Sequence, residues 1–164
     1  MRHYYSAQQI RDAEAPLLAS LPDGVLMRRA AFGLATAVVR ELGTVSGTTV
    51  CAVVGSGDNG GDALWAATFL RRRGAGASAV LLNPDRAHSA AMAAFRKAGG
   101  RIVEKVPAAT DLVIDGVVGI GASGPLRAAA AEVFSGTDAP VVAVDIPSGV
   151  DVATGAAGGS APGS

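Results

Sequence analysis

Three glycine-rich segments hold most of the acidic and amide side chains that could do chemistry in this sequence. Residues 55–62 read Gly-Ser-Gly-Asp-Asn-Gly-Gly-Asp, residues 115–125 begin with Asp115, and residues 145–151 begin with Asp145. Glycine lets backbone N–H groups approach an anion such as phosphate, while carboxylate and amide oxygens bind hard cations and carboxylates transfer protons. We therefore expect a phosphate-bearing ligand. Because these segments contain no Lys or Arg, its negative charge must be offset by a bound cation or by hydrogen-bond donors.

The first segment has a functional and a purely structural interpretation. Gly55, Gly57 and Gly60 satisfy the pattern G-x-G-x-x-G, which is typical of dinucleotide-binding turns when a strand precedes it and a helix follows. A tight strand-to-helix connection with Asp62 as a helix cap would also explain these residues. Four glycines, one Asn and two Asp within eight residues supply more polar groups than a connection needs, so we favour the functional interpretation.

Short apolar strands that alternate with helices must position these segments. Apolar runs without polar alternation are typical of parallel strands covered on both faces. They predict a doubly wound α/β domain with a mostly parallel, Rossmann-like sheet, whose ligands bind at the carboxyl ends of the strands. Asp115 and Asp145 each follow such a run directly, so we expect them at the same edge as Asp58 and Asn59. The predicted strands are 48–54, 77–82, 101–103, 112–114 and 141–144, and the predicted helices between them are 62–73, 87–98 and 126–134.

Two helices are predicted before the first strand. Ser6 is a suitable N-cap for a short amphipathic helix that ends near Leu21, just before Pro22. From Val25 to Leu42, apolar residues recur at helical spacing, and Gly43 is placed as a C-terminal stop.

The composition predicts one globular domain, residues 1–152, followed by a flexible tail or linker at 153–164. The chain is 49% hydrophobic and carries 14 Lys and Arg against 14 Asp and Glu, so it can form a core and is not a polyanion binder.

The single cysteine, Cys51, cannot form an internal disulfide and is interpreted as a buried strand residue. With no signal-peptide pattern and no long apolar window, we expect a cytoplasmic protein without nucleic-acid or membrane partners.

The three segments, in this order and within this α/β pattern, resemble the NAD(P)H-hydrate epimerase family, the YjeF N-terminal domain. The resemblance rests on residues 57–62, 115–125 and 145–151 and covers nearly the whole chain. It implies an isomerase of metabolite repair that interconverts the R and S epimers, at C6, of hydrated NADH and NADPH. It also implies one bound K⁺ per subunit.

The resemblance assigns roles to individual residues. Asp145 is expected to contact the substrate and to act as the catalytic acid/base residue, and Asn59, Asp115 and Ser148 are expected to contribute to the K⁺ site. The residues expected to bind the dinucleotide are Asp58, Asn59, Gly60, Gly61, Asp62, Gly119, Ile120, Gly121, Ala122, Ser123, Gly124, Pro125 and Asp145.

Two departures from the family pattern keep other functions open. Asp58 stands where the family commonly has Asn, and the family domain continues past the third segment. We therefore expect a domain truncated at its C-terminal end, from a protein fused to or paired with a hydrate dehydratase, and the N-terminal helices could form a homodimer surface. A catalytically silent nucleotide-binding or interaction module is the alternative. An NAD(P)-dependent dehydrogenase with Asp85 as its ribose ligand is a third, which leaves Asp115 and Asp145 without a role.

Overall fold

In the residues that the structure describes, five parallel strands form one sheet, in the order β3-β2-β1-β4-β5. The computed structural model describes residues 5–121, 128–152 and 154–157. This architecture confirms the predicted doubly wound α/β fold, and the predicted strand positions hold to within one or two residues. The strands are β1 (Thr49–Val54), β2 (Gly76–Leu81), β3 (Arg101–Val103), β4 (Leu112–Gly116) and β5 (Val141–Ala143).

Five helices accompany the sheet in the described residues. The two predicted N-terminal helices are confirmed, and Ser6 forms a reciprocal capping box with Gln9. Gly43 ends the second helix with φ of +71°, a backbone conformation that glycine adopts without strain. The helices are α1 (Ala7–Ser20), α2 (Val25–Leu42), α3 (Asp58–Arg72), α4 (Ser89–Lys97) and α5 (Ala128–Ser135), with a 3₁₀ turn at Pro84–Arg86.

Strand β1 is buried on both faces, which explains the absence of polar alternation in its sequence. Val50, Ala52 and Val54 pack in a core with α2, α3 and α4. Cys51 and Val53 pack on the opposite face, in a second core that includes residues of α5. The cysteine is fully buried, as its apolar surroundings predicted.

The chain changes direction in the sheet between β1 and β4. It passes from β1 to β2 and β3 on one side, and returns to β4 and β5 on the other. At this switch point Val54 lies opposite Gly116, so the segments after β1 and β4 leave the sheet side by side. A crevice at such a point is the expected ligand site of an open parallel sheet.

Helix α3 begins at Asp58, four residues earlier than predicted. The glycines at 60 and 61 indicated a loop, but they lie inside the helix, where it packs closely against neighbouring backbone and side chains. A Cβ on Gly60 would overlap the carbonyl oxygen of Gly55, and a Cβ on Gly61 would lie 2.9 Å from Met27 Cε. The connection between β1 and α3 is therefore only residues 55–57.

The start of the predicted tail is folded back on the segment before it. Thr154 donates from both its amide and its hydroxyl to Asp151 Oδ1, each at 2.8 Å. Val150 and Ala157 form an antiparallel bridge. The division between domain and tail at residue 152 stays a prediction.

No helix within the described ranges is both long and apolar enough to cross a membrane.

Candidate functional site

A cavity of about 650 Å³ opens at the switch point of the sheet. Its size is within the range of small-molecule and cofactor sites. Helices α1 and α3 and the segments after β4 and β5 contribute to its wall. The predicted site residues that line it are Asp58, Asn59, Asp62, Gly119, Ile120, Gly121 and Asp145.

The other predicted substrate residues fall into two groups. Gly60 and Gly61 are buried within α3 and bring the helix close to its neighbours rather than lining the cavity. Ala122, Ser123, Gly124 and Pro125 lie outside the described residues.

Asn59 and Asp145 converge on the segment that follows β4. The Asn59 side chain donates from Nδ2 to the carbonyl oxygen of Val118 at 3.0 Å. Asp145 accepts a hydrogen bond at Oδ2 from the amide of Ile120 at 3.3 Å. Both side chains therefore hold residues 118–120, and the segments after β1, β4 and β5 meet at one place.

Gly119 makes this convergence sterically possible. A Cβ at this position would lie 2.5 Å from Asp145 Oδ2 and 2.6 Å from Asn59 Oδ1, distances that real Cβ atoms do not show. Asp145 Oδ2 and Asn59 Oδ1 thus both border the space that a side chain at position 119 would fill. Their oxygens are close enough to act on the same small ligand.

Asp115 and Ser148 form a buried link beneath the cavity. Ser148 donates from its amide to Asp115 Oδ2 and from its hydroxyl to Oδ1, both at 2.7 Å. The amide of Val117 donates to Oδ1 as well, at 3.1 Å. Both residues are fully buried, and this burial raises the pKa of the Asp115 carboxyl, while the three hydrogen bonds oppose the increase.

Asp62 faces other carboxylates and lacks a partner for one of its oxygens. Its Oδ1 atom is buried and, among the described residues, has no hydrogen-bond partner. Burial raises the pKa of Asp62 to about 7, and the charges of Asp145, Asp58 and Glu14 add to the increase. Interpreting Asp62 as the helix cap is wrong, because α3 begins at Asp58 and Asp62 lies inside it.

A second cavity, of about 370 Å³, adjoins the first. The two share Glu14, Ala30, Asp58 and Asp62 in their walls. The second cavity is otherwise largely apolar, and its polar side includes His88 from the N-terminus of α4. One extended ligand could therefore occupy both spaces.

Sequence reasoning did not implicate Arg11, Glu14 and His88 in the site. Arg11 and Glu14 line the larger cavity from α1, a helix with no buried residue. Their spacing of three is common on any solvated helix, so it carried no signal. Asp85, the ribose ligand of the dehydrogenase hypothesis, lies in an exposed 3₁₀ turn and lines neither cavity.

Comparisons with known proteins agree with the predicted family and the fold. A family profile described as YjeF-related protein N-terminus matches residues 23–161. A bifunctional NAD(P)H-hydrate repair enzyme of Mycobacterium tuberculosis, named Nnr, is 75% identical over 168 residues. The match covers 98% of this chain but only 36% of that relative, so the chain spans about a third of its length.

Two further matches cover more of the compared protein. An NAD(P)H-hydrate epimerase of Bordetella pertussis is 39% identical over 164 residues, covering 95% of this chain and 70% of the relative. The crystal structure of the yeast protein ynu0 superposes with a TM-score of 0.79 at 21% identity, covering 98% of this chain and 76% of that one. This chain belongs to the family of YjeF-related N-terminal domains.

Proposed function

We propose that this chain is an NAD(P)H-hydrate epimerase, which interconverts the R and S epimers at C6 of hydrated NADH or NADPH. The observation that carries the proposal is the convergence of Asn59 and Asp145 on Gly119, in the cavity between β1 and β4. The names of the relatives, which specify NAD(P)H-hydrate as the molecule acted upon, support the choice of substrate.

The phosphates of the dinucleotide bind where α3 meets the segment after β4. Helix α3 starts at the cavity with Gly57 as its N-cap and with no side-chain cap, so its first-turn amides and its dipole favour an anion there. Gly119 and Gly121 line the same cavity and allow a close approach of backbone to ligand. Arg11 from α1 adds a positive charge to a wall whose other charged residues are acidic.

Asp145 transfers the proton that epimerisation requires. Inversion at C6 needs this carbon to become planar and then to form its bond again from the other face. Loss of the hydroxyl as water and opening of the ring both require one group that gives and takes a proton at the C6 oxygen. Asp145 is exposed in the cavity, and its long hydrogen bond from Ile120 leaves acceptor positions free for the substrate.

The oxygen atoms of Asn59, Asp115 and Ser148 fit a K⁺ ion. Asn59 uses its Nδ2 to donate to Val118, and Ser148 donates its hydroxyl proton to Asp115, so Asn59 Oδ1 and the Ser148 lone pairs are available as hard ligands. Among the described residues, Asp115 accepts hydrogen bonds from Ser148 and from the amide of Val117, and neither donor carries a positive charge. Such a cation, when bound, would offset the negative charge that carboxylates and phosphates bring together.

In the part of the chain that the structure describes, no group of three or more His, Cys, Asp or Glu side chains could hold a metal ion. Amide, hydroxyl and backbone oxygens would therefore have to complete the coordination. This donor chemistry suits an alkali cation better than a transition metal.

We also propose that the protein functions in the cytoplasm together with a hydrate dehydratase, either fused or as a partner. The relative from Mycobacterium tuberculosis is named as bifunctional and is much longer than this chain. A homodimer formed through the N-terminal helices is consistent with α1, which has no buried residue.

The experiment that tests the proposal supplies the separated R epimer of hydrated NADH to the chain in the presence of KCl. Chromatography then follows formation of the S epimer above the spontaneous rate. Thermal-shift measurements with ADP-ribose and KCl are made in parallel. Stabilisation by ADP-ribose without any acceleration would instead identify a silent nucleotide-binding module.

A further inference from the structure

The smaller cavity has the polar groups that recognise a carboxamide. His88 caps α4, because its Nδ1 accepts a hydrogen bond from the amide of Ala91 at 3.2 Å. With Nδ1 acting as an acceptor, the proton of the neutral ring is on Nε2, which is a donor. Asp62 lines the same cavity and contributes carboxylate oxygens, which are acceptors. Its Oδ1 is buried and has no hydrogen-bond partner among the described residues. His88 and Asp62 thus line the same cavity, whose other acidic residues are Glu14, Asp23 and Asp58.

The remaining wall suits the uncharged ring of a hydrated nicotinamide. Leu18, Leu26 and Met27 line the cavity from α1 and α2. The hydrated ring carries no positive charge, unlike the oxidised cofactor, so apolar contacts to its carbon atoms are not opposed by desolvation of a charge. The acidic residues Asp58, Asp62 and Glu14 lie in the wall that is shared with the larger cavity.

We propose that the smaller cavity receives the carboxamide of the substrate, with His88 donating to its carbonyl oxygen and Asp62 accepting from its amide nitrogen. The inference rests on the proposed epimerase function. It also agrees with the chemistry of the ring, because C6 lies across the ring from C3, which carries the carboxamide. A ring that enters the smaller cavity with its carboxamide first keeps C6 at the shared wall, toward the larger cavity that contains Asp145.

The test compares binding of two ligands to the chain by calorimetry, hydrated NADH and ADP-ribose. ADP-ribose has the same adenosine and pyrophosphate but lacks the nicotinamide ring. The variant is His88→Asn, because Asn is a good N-cap and preserves the cap of α4 while its short side chain cannot replace Nε2. Thermal unfolding of His88→Asn and His88→Ala verifies that only the alanine variant loses the cap.

We expect His88→Asn to weaken binding of hydrated NADH about tenfold and to change binding of ADP-ribose less than twofold. Equal effects on both ligands, or no effect on either, would overturn the carboxamide site while leaving the epimerase proposal intact. If the wild-type chain binds neither ligand, the proposed function fails as well, and the two failures are thus distinguishable.

A second variant addresses the apolar wall. Met27→Phe places a larger, stiffer side chain at the cavity wall, where Met27 is only partly buried. We expect it to weaken binding of hydrated NADH and to spare ADP-ribose. Unchanged affinity for hydrated NADH in a folded Met27→Phe variant would contradict occupation of this cavity by the ring.

Discussion

At the level of single residues, the site depends on how closely a few side chains can approach. Asn59 and Asp145 come from segments far apart in sequence, and both contact residues 118–120. The sequence allowed the prediction that Asp115 and Asp145 lie at one edge, because the carboxyl ends of parallel strands share it. It could not indicate that Gly119 separates the two polar groups, since that depends on the path of the loop.

Gly119→Ala should therefore damage the site more than the fold. The new Cβ would overlap Asp145 Oδ2 and Asn59 Oδ1, so one or both side chains must move. Because a displacement of about 1 Å can lower a rate on the order of 10²-fold, we expect a decrease of that size in kcat/KM for epimerisation. The matched control is Gly33→Ala in α2, where a Cβ meets nothing within 4 Å.

In the control, alanine is the better helix former, so Gly33→Ala should leave activity unchanged and stabilise the protein by about 0.5–1 kcal/mol. Wild-type activity in Gly119→Ala would show that Asn59 and Asp145 need not stay where they are.

The pH dependence of stability should report on Asp62. Its pKa is raised from 3.8 to about 7 in the folded protein, so its contribution to stability is complete below pH 4 and is lost as the pH rises through 7. Asp62→Asn removes this loss. As the pH rises from 4 to 8, we expect the unfolding free energy of the variant to increase relative to the wild type by about 1–2 kcal/mol, after allowance for solvent screening.

Urea unfolding at several pH values measures this difference, with exposed Asp138→Asn as the control. A constant difference between Asp62→Asn and the wild type across this pH range would contradict the raised pKa.

At the level of elements, helices and strands follow from the sequence better than their exact ends do. The central strands β1 and β4 agree with the apolar runs because their burial requires such runs, whereas β3, which is largely exposed, has the weakest run. The start of α3 was placed at Asp62 because glycines are poor helix formers. In the structure the helix begins at Asp58. Gly60 lies inside it because a Cβ at this position would overlap the carbonyl oxygen of Gly55.

The link between Asp115 and Ser148 holds β4 against the segment after β5. Ser148→Ala removes the hydroxyl donor to a fully buried carboxylate. We expect a loss of about 1–3 kcal/mol of unfolding free energy, together with a weaker stabilisation by KCl if the hydroxyl is a cation ligand. Chemical denaturation with and without KCl measures both effects.

Ser135→Ala is the matched control, because the Ser135 hydroxyl donates to the Glu132 carbonyl at an exposed position. We expect this control to change stability by less than about 0.5 kcal/mol. A Ser148→Ala variant as stable as Ser135→Ala would contradict the role given to the buried link.

At the level of the whole molecule, a net charge of zero conceals an acidic site. Asp58, Asp62 and Asp145 line the larger cavity together with Glu14, while Arg11 supplies a positive charge. The three glycine-rich segments predicted this acidic edge. The contributions of α1 and His88 were not predictable, because they depend on how α1 and α4 pack around the edge and not on any local pattern.

The conversion of the R epimer of hydrated NADH to the S epimer, by the wild-type chain and by Asp145→Asn, tests the central claim most directly. We expect the wild type to exceed the spontaneous rate and Asp145→Asn to reduce the catalysed rate by about 10²- to 10⁴-fold, because the amide cannot transfer the proton. Binding of ADP-ribose should persist in the variant. Wild-type activity in a folded Asp145→Asn variant, or no acceleration by the wild type, would contradict the claim.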